Sequence, residues 1–211
     1  MSSDHSASVQ AILVVHAACG AVALLASAVA LATAKGSRPH VLAGRTFAAA
    51  MLVGLALAVP AIAARANVLL GLVGAFSAWL VLRGARAFRV QRHGPTAFDR
   101  ALVWVPRLAG AGLVTVGALS VAKTGSPTGF GGVSLGLGAV ALWTAHGDAP
   151  PTDRAAATRA HLSGMLGATI AATTAFLAVN GAGLGLPEVG LWLGPTAVGT
   201  PAIIWWSRGV R

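Results

Sequence analysis

The chain has 211 residues, of which 56% are hydrophobic and only 9% are charged. A soluble domain carries roughly a quarter of charged residues, so this composition excludes an ordinary soluble protein and favours one that buries its apolar surface in lipid. The 15 lysines and arginines outnumber the 5 acidic residues. They lie between apolar stretches and form no stripe interleaved with aromatics, which argues against a nucleic-acid partner. The expected partner is the lipid bilayer, whose anionic headgroups attract basic segments.

Seven apolar stretches follow one another along the chain and predict an all-α bundle of seven transmembrane helices, forming one domain over residues 1–211. A helix needs about 20 apolar residues to cross the hydrocarbon core. Strands are excluded because an open sheet edge cannot be satisfied in lipid. The fifth span is the shortest and is rich in glycine. The predicted spans cover about 9–34, 46–64, 66–82 with a helical continuation towards 90, 101–122, 128–145, 160–180 and 189–206.

Basic residues divide unevenly between the two sides of this bundle. With seven spans, thirteen of them fall on one side, and only Arg65 and Lys123 fall on the other. The positive-inside rule makes the rich side cytoplasmic, which predicts an external N-terminus and a cytoplasmic C-terminus. Tryptophans near the cytoplasmic ends are expected to act as interfacial anchors. They are Trp79, Trp104, Trp143, Trp205 and Trp206.

Several classes of activity have no residues to support them. No Asp or Glu lies within a predicted span, which weighs against a proton pump or cation carrier. The chain contains no Gly-x-Ser-x-Gly elbow, no His-Glu-x-x-His motif and no P-loop, so it offers nothing for an ordinary hydrolase or NTPase.

Two histidines at the predicted cytoplasmic ends of spans are candidates for chemistry. His40 precedes the second span and His161 opens the sixth, and the nearby arginines are Arg45 and Arg159 respectively. Neutral imidazole ligates haem iron or a transition metal, and guanidinium groups hold propionates or other anions. We therefore expect haem b or a quinone near the cytoplasmic face, with His40 and His161 as the metal ligands and with the arginines contributing to the same site. The alternative is that each histidine only hydrogen-bonds a neighbouring helix or a headgroup.

A third histidine, His16, lies inside the first span, about 10 Å from its outer end at 1.5 Å per residue. It is too far from His161 to share one iron. We expect it to face other helices and to hydrogen-bond one of them, because exposure to lipid would leave its N–H unpaired. It is also a candidate to bind a cofactor, since polar groups at such depth are costly and often functional.

Three functions remain open at this stage. The first is a redox or small-molecule-binding protein with the site described above. The second is a small-solute transporter or channel lined by polar side chains. The third is an accessory subunit of a larger membrane complex or a homo-oligomer, held by small-residue helix faces such as Gly164 with Ala168. The pathway residues of the second would be His16, Thr173, Thr174 and Asn180.

Three longer motifs resemble a family of bacterial polytopic membrane proteins that carries only a domain-of-unknown-function label. They are HVLAGRTFAAAM at residues 40–51, HLSGMLGATIAATTAFLAVN at 161–180 and WLGPTAVGTPAIIWWSR at 192–208. The shared pattern resembles His-x-x-x-Gly-Arg, then His-x-x-x-Met-x-Gly with Thr-Ala-Phe, then Pro-Thr-x-x-Gly-Thr-Pro. The resemblance covers nearly the whole chain. It implies a multi-pass protein of the bacterial cytoplasmic membrane and brings no activity with it.

Overall fold

The computed structural model describes residues 2–185 and 187–210, and over these residues the protein is all-helical with no strand. Seven of the helices have 17 or more residues, and a short 3-10 turn at Gly181–Leu184 joins the last two. The all-α prediction is confirmed. The α-helices are α1 (Ser2–Ala32), α2 (Arg38–Ala64), α3 (Val68–His93), α4 (Ala97–Leu102), α5 (Trp104–Thr124), α6 (Phe130–His146), α7 (Arg154–Asn180) and α8 (Glu188–Arg208).

Each predicted span corresponds to one helix, and five segments among the described residues are long and apolar enough to cross a membrane. α6 has only 17 residues, so at 1.5 Å per residue it is about 25 Å long, slightly less than the hydrocarbon thickness. α8 is long enough, but its two prolines, two threonines and three tryptophans reduce its apolar character. The five segments are Gln10–Ala32, Arg38–Ala64, Val68–His93, Ala97–Thr124 and Arg154–Asn180.

Helix starts follow local capping signals in the sequence. The Ser37 side chain accepts a hydrogen bond from the His40 amide at the start of α2, and Asp153 does the same for the Ala156 amide at the start of α7. Such caps satisfy amide groups that have no partner in the first turn. α8 continues through Pro195 and Pro201 without a break.

The described residues form two compact units, which divide after Gly71. In the first unit α1 and α2 are antiparallel neighbours joined by a short turn. The buried residues of α2 are Ala43, Phe47, Met51 and Gly54, and Phe47 is only 2% exposed. The prediction of a single domain stays a prediction, since it concerns both units together.

In the second unit α5 and α6 pack against each other through glycines spaced seven residues apart on both helices. A Cβ atom added at any of the four would lie 2.8–2.9 Å from atoms of the opposite helix. Small residues of this kind let two backbones approach closely in a lipid environment. The facing pairs are Gly110 with Leu142, Gly117 with Leu135, Gly131 with Val121 and Gly138 with Val114.

A second close contact joins α3 and α7. A Cβ atom on Gly164 would lie 2.6 Å from the Gly84 nitrogen, and one on Gly84 would lie 2.8 Å from the Met165 nitrogen. The expectation that Gly164 and Ala168 form a packing face is confirmed, since both are buried. The space beside Gly164 is therefore filled by the α3 backbone.

Three contacts join helix ends at one end of the second unit. Arg83 of α3 pairs with Asp148, which follows α6, at 2.5 Å. Arg107 in the first turn of α5 donates to the Ala145 carbonyl near the end of α6 at 3.1 Å. These contacts place the C-terminal parts of α3 and α6 beside the start of α5. A similar bond joins the start of α7 to the residues after α8, where Arg159 donates to the Val210 carbonyl at 3.1 Å.

One of the five tryptophans predicted to be interfacial anchors, Trp79, is buried, and the other four are exposed. Trp79 is 2% exposed, stacks on Phe76 with ring centroids 5.7 Å apart, and lies under the Arg83 guanidinium at 5.5 Å. Its assignment as an interfacial anchor is wrong, because packing within the second unit covers it. The other four remain exposed on helix surfaces, as an anchor must be. They are Trp104, Trp143, Trp205 and Trp206.

Candidate functional site

The three histidines identified as candidates in the sequence each form the same type of hydrogen bond. Each ring donates from Nδ1 to a backbone carbonyl oxygen of another helix, so each joins two helices. A carbonyl only accepts, and therefore Nδ1 carries the hydrogen. The pairs are His16 with Gly54 at 2.8 Å, His40 with Ala30 at 3.0 Å, and His161 with Gly84 at 2.9 Å.

This hydrogen bond fixes the tautomer of each neutral ring. With the hydrogen on Nδ1, the lone pair lies on Nε2. Histidines that ligate metals have this arrangement very often, because a donated N–H orients the ring and makes the other nitrogen more basic. The geometry is therefore compatible both with ligation through Nε2 and with a purely structural helix contact.

His16 confirms the expectation drawn from its depth in the first span. Its ring is half-buried and faces Gly54 of α2, one turn from Cys19 on the same side of α1. A Cβ atom on Gly54 would lie 3.2 Å from the Cys19 Cβ. The absence of a side chain at Gly54 lets α1 approach α2 closely at Cys19, one turn from the histidine.

His40 lies at the opposite end of the α1–α2 pair. Its acceptor, the Ala30 carbonyl, belongs to the last turn of α1, where carbonyls have no partner within the helix. Lys35 also donates to this carbonyl, at 3.0 Å. His40 therefore helps to close the C-terminus of α1. Arg45 is exposed and has no hydrogen bond or ion pair among the described residues.

His161 lies in the first turns of α7, next to the close contact with α3. Its ring is tilted against Phe88 with centroids 5.6 Å apart. Arg159 points elsewhere, since it is exposed and donates to the Val210 carbonyl. Arg159, which was predicted to share a site with His161, therefore joins the start of α7 to the residues after α8.

The expected shared site of His40 and His161 stays a prediction, because the two residues belong to different units. In the part of the chain that the structure describes, no group of three or more His, Cys, Asp and Glu side chains could hold a metal ion. The described side chains therefore do not indicate a metal ion held by protein ligands alone. Haem ligation needs only one or two imidazoles and remains compatible with these side chains.

The polar residues of α7 proposed for a transport pathway differ in their bonding. Thr173 donates to the Thr169 carbonyl at 2.9 Å, and Asn180 donates to the Phe176 carbonyl at 2.8 Å, so both bond to their own helix. Thr174 differs, because its hydroxyl is buried and has no hydrogen-bond partner among the described residues. Of these three, only Thr174 retains an unused polar group inside the protein.

A cluster of arginines and aspartates at the end of α3 was not recognised in the sequence. Arg83 bonds Asp148 at 2.5 Å and also donates to the Ser163 hydroxyl at 2.8 Å. Arg86 pairs with Asp99 through two bonds of 2.6 and 3.0 Å. A signal existed for one member, because Thr96 and Asp99 form a Ser/Thr-x-x-acid capping box that begins α4.

Compared with protein families, curated proteins and solved structures, the chain matches none of them. The resemblance of its motifs to a bacterial membrane family therefore stays a prediction. Any statement of function has to come from the side chains described above.

Proposed function

We propose that this chain is a multi-pass protein of a bacterial cytoplasmic membrane, and that its helix-bridging histidines serve a redox cofactor, haem b or a quinone. The proposal combines a topology of seven crossings with the chemistry of His40 and His161. The five apolar segments support the membrane location. The topology and the redox cofactor are supported by different contacts.

Contacts between helix ends support seven crossings in preference to five. Arg83 near the end of α3 pairs with Asp148 after α6, so these positions share one side of the membrane. Since α5 crosses between them, α6 must cross back. In the same way the bond from Arg159 to the Val210 carbonyl supports a location of both ends of the α7–α8 pair on one side. α7 crosses, and α8 must therefore return. The thirteen-to-two division of basic residues then places that side in the cytoplasm.

The single observation that carries the redox proposal is the Nδ1–H hydrogen bond. His161 donates to the Gly84 carbonyl and His40 donates to the Ala30 carbonyl, which directs the lone pair of each ring to Nε2. An Nε2 lone pair can ligate haem iron or accept a hydrogen bond from a quinol hydroxyl. Arg45, exposed one turn after His40, supplies a cation for a propionate or another anionic group.

The chemistry supplied by the bound group would be electron transfer, with one electron for haem and two electrons plus protons for a quinone. The protein's contribution is to orient the rings, since a backbone carbonyl that accepts from Nδ1–H fixes the ring plane.

Visible absorption and solvent extraction of the purified protein test the proposal. We expect either a haem Soret band or one quinone per chain, and we expect His161→Ala to lose it while remaining folded. The matched control is His93→Ala, which removes an exposed histidine at the end of α3. A protein that binds neither cofactor, even when haem and quinone are supplied during expression, would overturn the redox proposal and leave the topology untouched.

A small-solute transporter is the second candidate, and the buried Thr174 hydroxyl favours it. An unpaired polar group inside a membrane bundle is costly and is retained where it meets a water molecule or a passing solute. Thr174→Val keeps the shape and removes the hydroxyl. Slower solute flux into proteoliposomes with this variant, and unchanged flux with Thr173→Val, would favour transport.

A further inference from the structure

A small cavity in the second unit lies where the end of α3 meets α4 and the loop after α6. Its volume is about 90 Å³. The charged side chains that line it are Arg83, Arg86 and Arg100 together with Asp99 and Asp148. None of the histidines of the proposed redox function lines the cavity.

The two arginines of α3 that line the cavity have unused hydrogen-bond donors. A guanidinium carries five N–H groups. In Arg83, Nε and Nη1 donate to Asp148, Ala160 and Ser163, while Nη2 has no acceptor among the described residues. In Arg86, too, some of the N–H groups are bonded and others are not. Its Nε and Nη2 donate to Asp99 and Thr96, and its Nη1 has no acceptor within the described part of the chain.

These donors belong to half-buried groups that lie three residues apart on α3. The side chain of Arg83 is 20% exposed and that of Arg86 is 27% exposed. Residues at this spacing lie on one face of a helix. Two guanidinium groups therefore border the same small space, each with one amino group available.

The aspartates in the lining do not make the cavity acidic. Asp99 accepts hydrogen bonds from Arg86, Arg89 and both the amide and the hydroxyl of Thr96. Asp148 is paired with Arg83. Three arginines face two aspartates in the lining, and Arg89 adds a further positive charge beside Asp99. The net charge of the lining is therefore positive, which favours an anion as the ligand.

The size and the walls of the cavity restrict the kind of anion. One water molecule needs about 10–15 Å³ of such a volume, so a cavity of about 90 Å³ accommodates a group of several heavy atoms, the size of a phosphate. Trp79, Leu102 and Val103 supply apolar walls, and charge-assisted hydrogen bonds are stronger where water is excluded. Guanidinium forks match the tetrahedral oxygens of phosphate especially well.

We propose that this cavity binds a phosphate group, either the headgroup of an anionic phospholipid or free inorganic phosphate. Arg83 Nη2 and Arg86 Nη1 are the main donors, and Arg100 contributes charge at the rim. In the seven-crossing topology the cavity lies at the cytoplasmic surface, where anionic headgroups are concentrated.

Thermal unfolding in a phosphate-free maltoside detergent tests the proposal, with short-chain phosphatidylglycerol or inorganic phosphate as titrant. We expect a saturable rise in the unfolding temperature of the wild-type chain. Arg86→Lys keeps the charge but loses the fork, and we expect it to weaken binding about tenfold, the equivalent of roughly one charge-assisted hydrogen bond. Arg92→Gln is the matched control. It alters an exposed arginine of the same helix that does not line the cavity.

The outcomes separate the two sources of phosphate. Saturation by phosphatidylglycerol alone assigns the site to a lipid headgroup, and saturation by inorganic phosphate assigns it to the free ion. If Arg86→Lys does not fold, Arg100→Gln replaces it, because Arg100 is exposed and the only bond of its side chain among the described residues, to the Pro95 carbonyl, joins residues five positions apart. The proposal is overturned if neither titrant saturates, or if Arg92→Gln weakens binding as much as the cavity variants do.

Discussion

At the scale of single residues, a histidine inside an apolar helix bonds to the backbone of its neighbour. His16 donates to the Gly54 carbonyl at 2.8 Å, and the glycine leaves room for the neighbouring Cys19 of the same helix as His16. Such bonds between transmembrane helices contribute modestly, because partners are also found in the unfolded state within the membrane. His16 should accordingly stabilise the α1–α2 pair without being indispensable for folding.

Replacing His16 by Leu should lower the free energy of unfolding by about 0.6–1.7 kcal/mol, the range measured for hydrogen bonds between membrane helices. His16→Gln should recover part of this loss, because its amide can still donate. Reversible unfolding in mixed micelles measures the difference. Equal stability of the Leu and wild-type proteins would show that the bond contributes nothing.

The pair of Arg83 and Asp148 is a stronger contact, and a double-mutant cycle isolates its contribution. The side chains are 20% and 10% exposed, so each single change leaves a partly buried group without its partner. We expect Arg83→Gln and Asp148→Asn to destabilise the protein, with a coupling of about 1–3 kcal/mol. Additive effects in the double variant would mean that the two groups do not interact in the membrane-embedded protein.

The sequence predicted only part of these contacts. That His16 bonds to another helix followed from physics alone, since an isolated N–H in lipid must find an acceptor, but its partner Gly54 did not. The pairs of Arg83 and Arg86 did not follow, because Asp148 lies 65 residues from Arg83 and looked like an ordinary loop residue. Asp148 acquires its role because the residues after α6 lie beside the C-terminal part of α3, and the local sequence carries no information about that contact.

At the scale of elements, glycines determine how closely the helices approach. Gly164 contacts the backbone of α3, whereas a Cβ atom on Gly20 of α1 would meet nothing within 4 Å. The small-residue pattern of the seventh helix indicated this packing face in advance. The pattern did not say which helix it would meet, and both α3 and α8 contact α7.

Gly164→Ala should therefore destabilise the protein by about 1–3 kcal/mol, because the new methyl group would lie 2.6–2.7 Å from the Gly84 and Leu80 backbone. The control Gly20→Ala should be neutral or stabilising by up to about 1 kcal/mol through helix propensity. Unfolding of the two variants under the same conditions gives the comparison. Similar effects at both positions would contradict the close contact of α3 and α7.

Helix positions were predicted well and helix details less well. Each of the seven predicted spans corresponds to a helix, because apolar runs of this length have few alternatives, although only five segments among the described residues are long and apolar enough to cross a membrane. The six-residue α4 was missed, since its capping box lies within a basic segment that was treated only as a loop. Trp79 was misassigned because position near a helix end does not reveal whether a neighbouring helix covers the ring.

At the scale of the whole molecule, the number of crossings cannot be decided from the two ends of the chain. Five crossings and seven crossings both place the ends on opposite sides, because both numbers are odd. The two topologies differ in the loop at residues 147–153. In the proposed orientation, a failure of α6 to cross would leave that loop external, while Arg83 in the C-terminal part of α3 would be cytoplasmic.

The ion pair between Arg83 and Asp148 makes a specific prediction for this loop. A cysteine placed at Thr152, in a background where Cys19 is replaced by Ala, should resist a membrane-impermeant maleimide in intact cells and react after the membrane is opened. A cysteine at Ser126, between α5 and α6, should react in intact cells and serves as the matched external control. Labelling of both positions from outside would exclude the crossing of α6. It would also mean that the 2.5 Å contact between Arg83 and Asp148 does not exist in the membrane, since an external loop cannot reach the cytoplasmic end of α3.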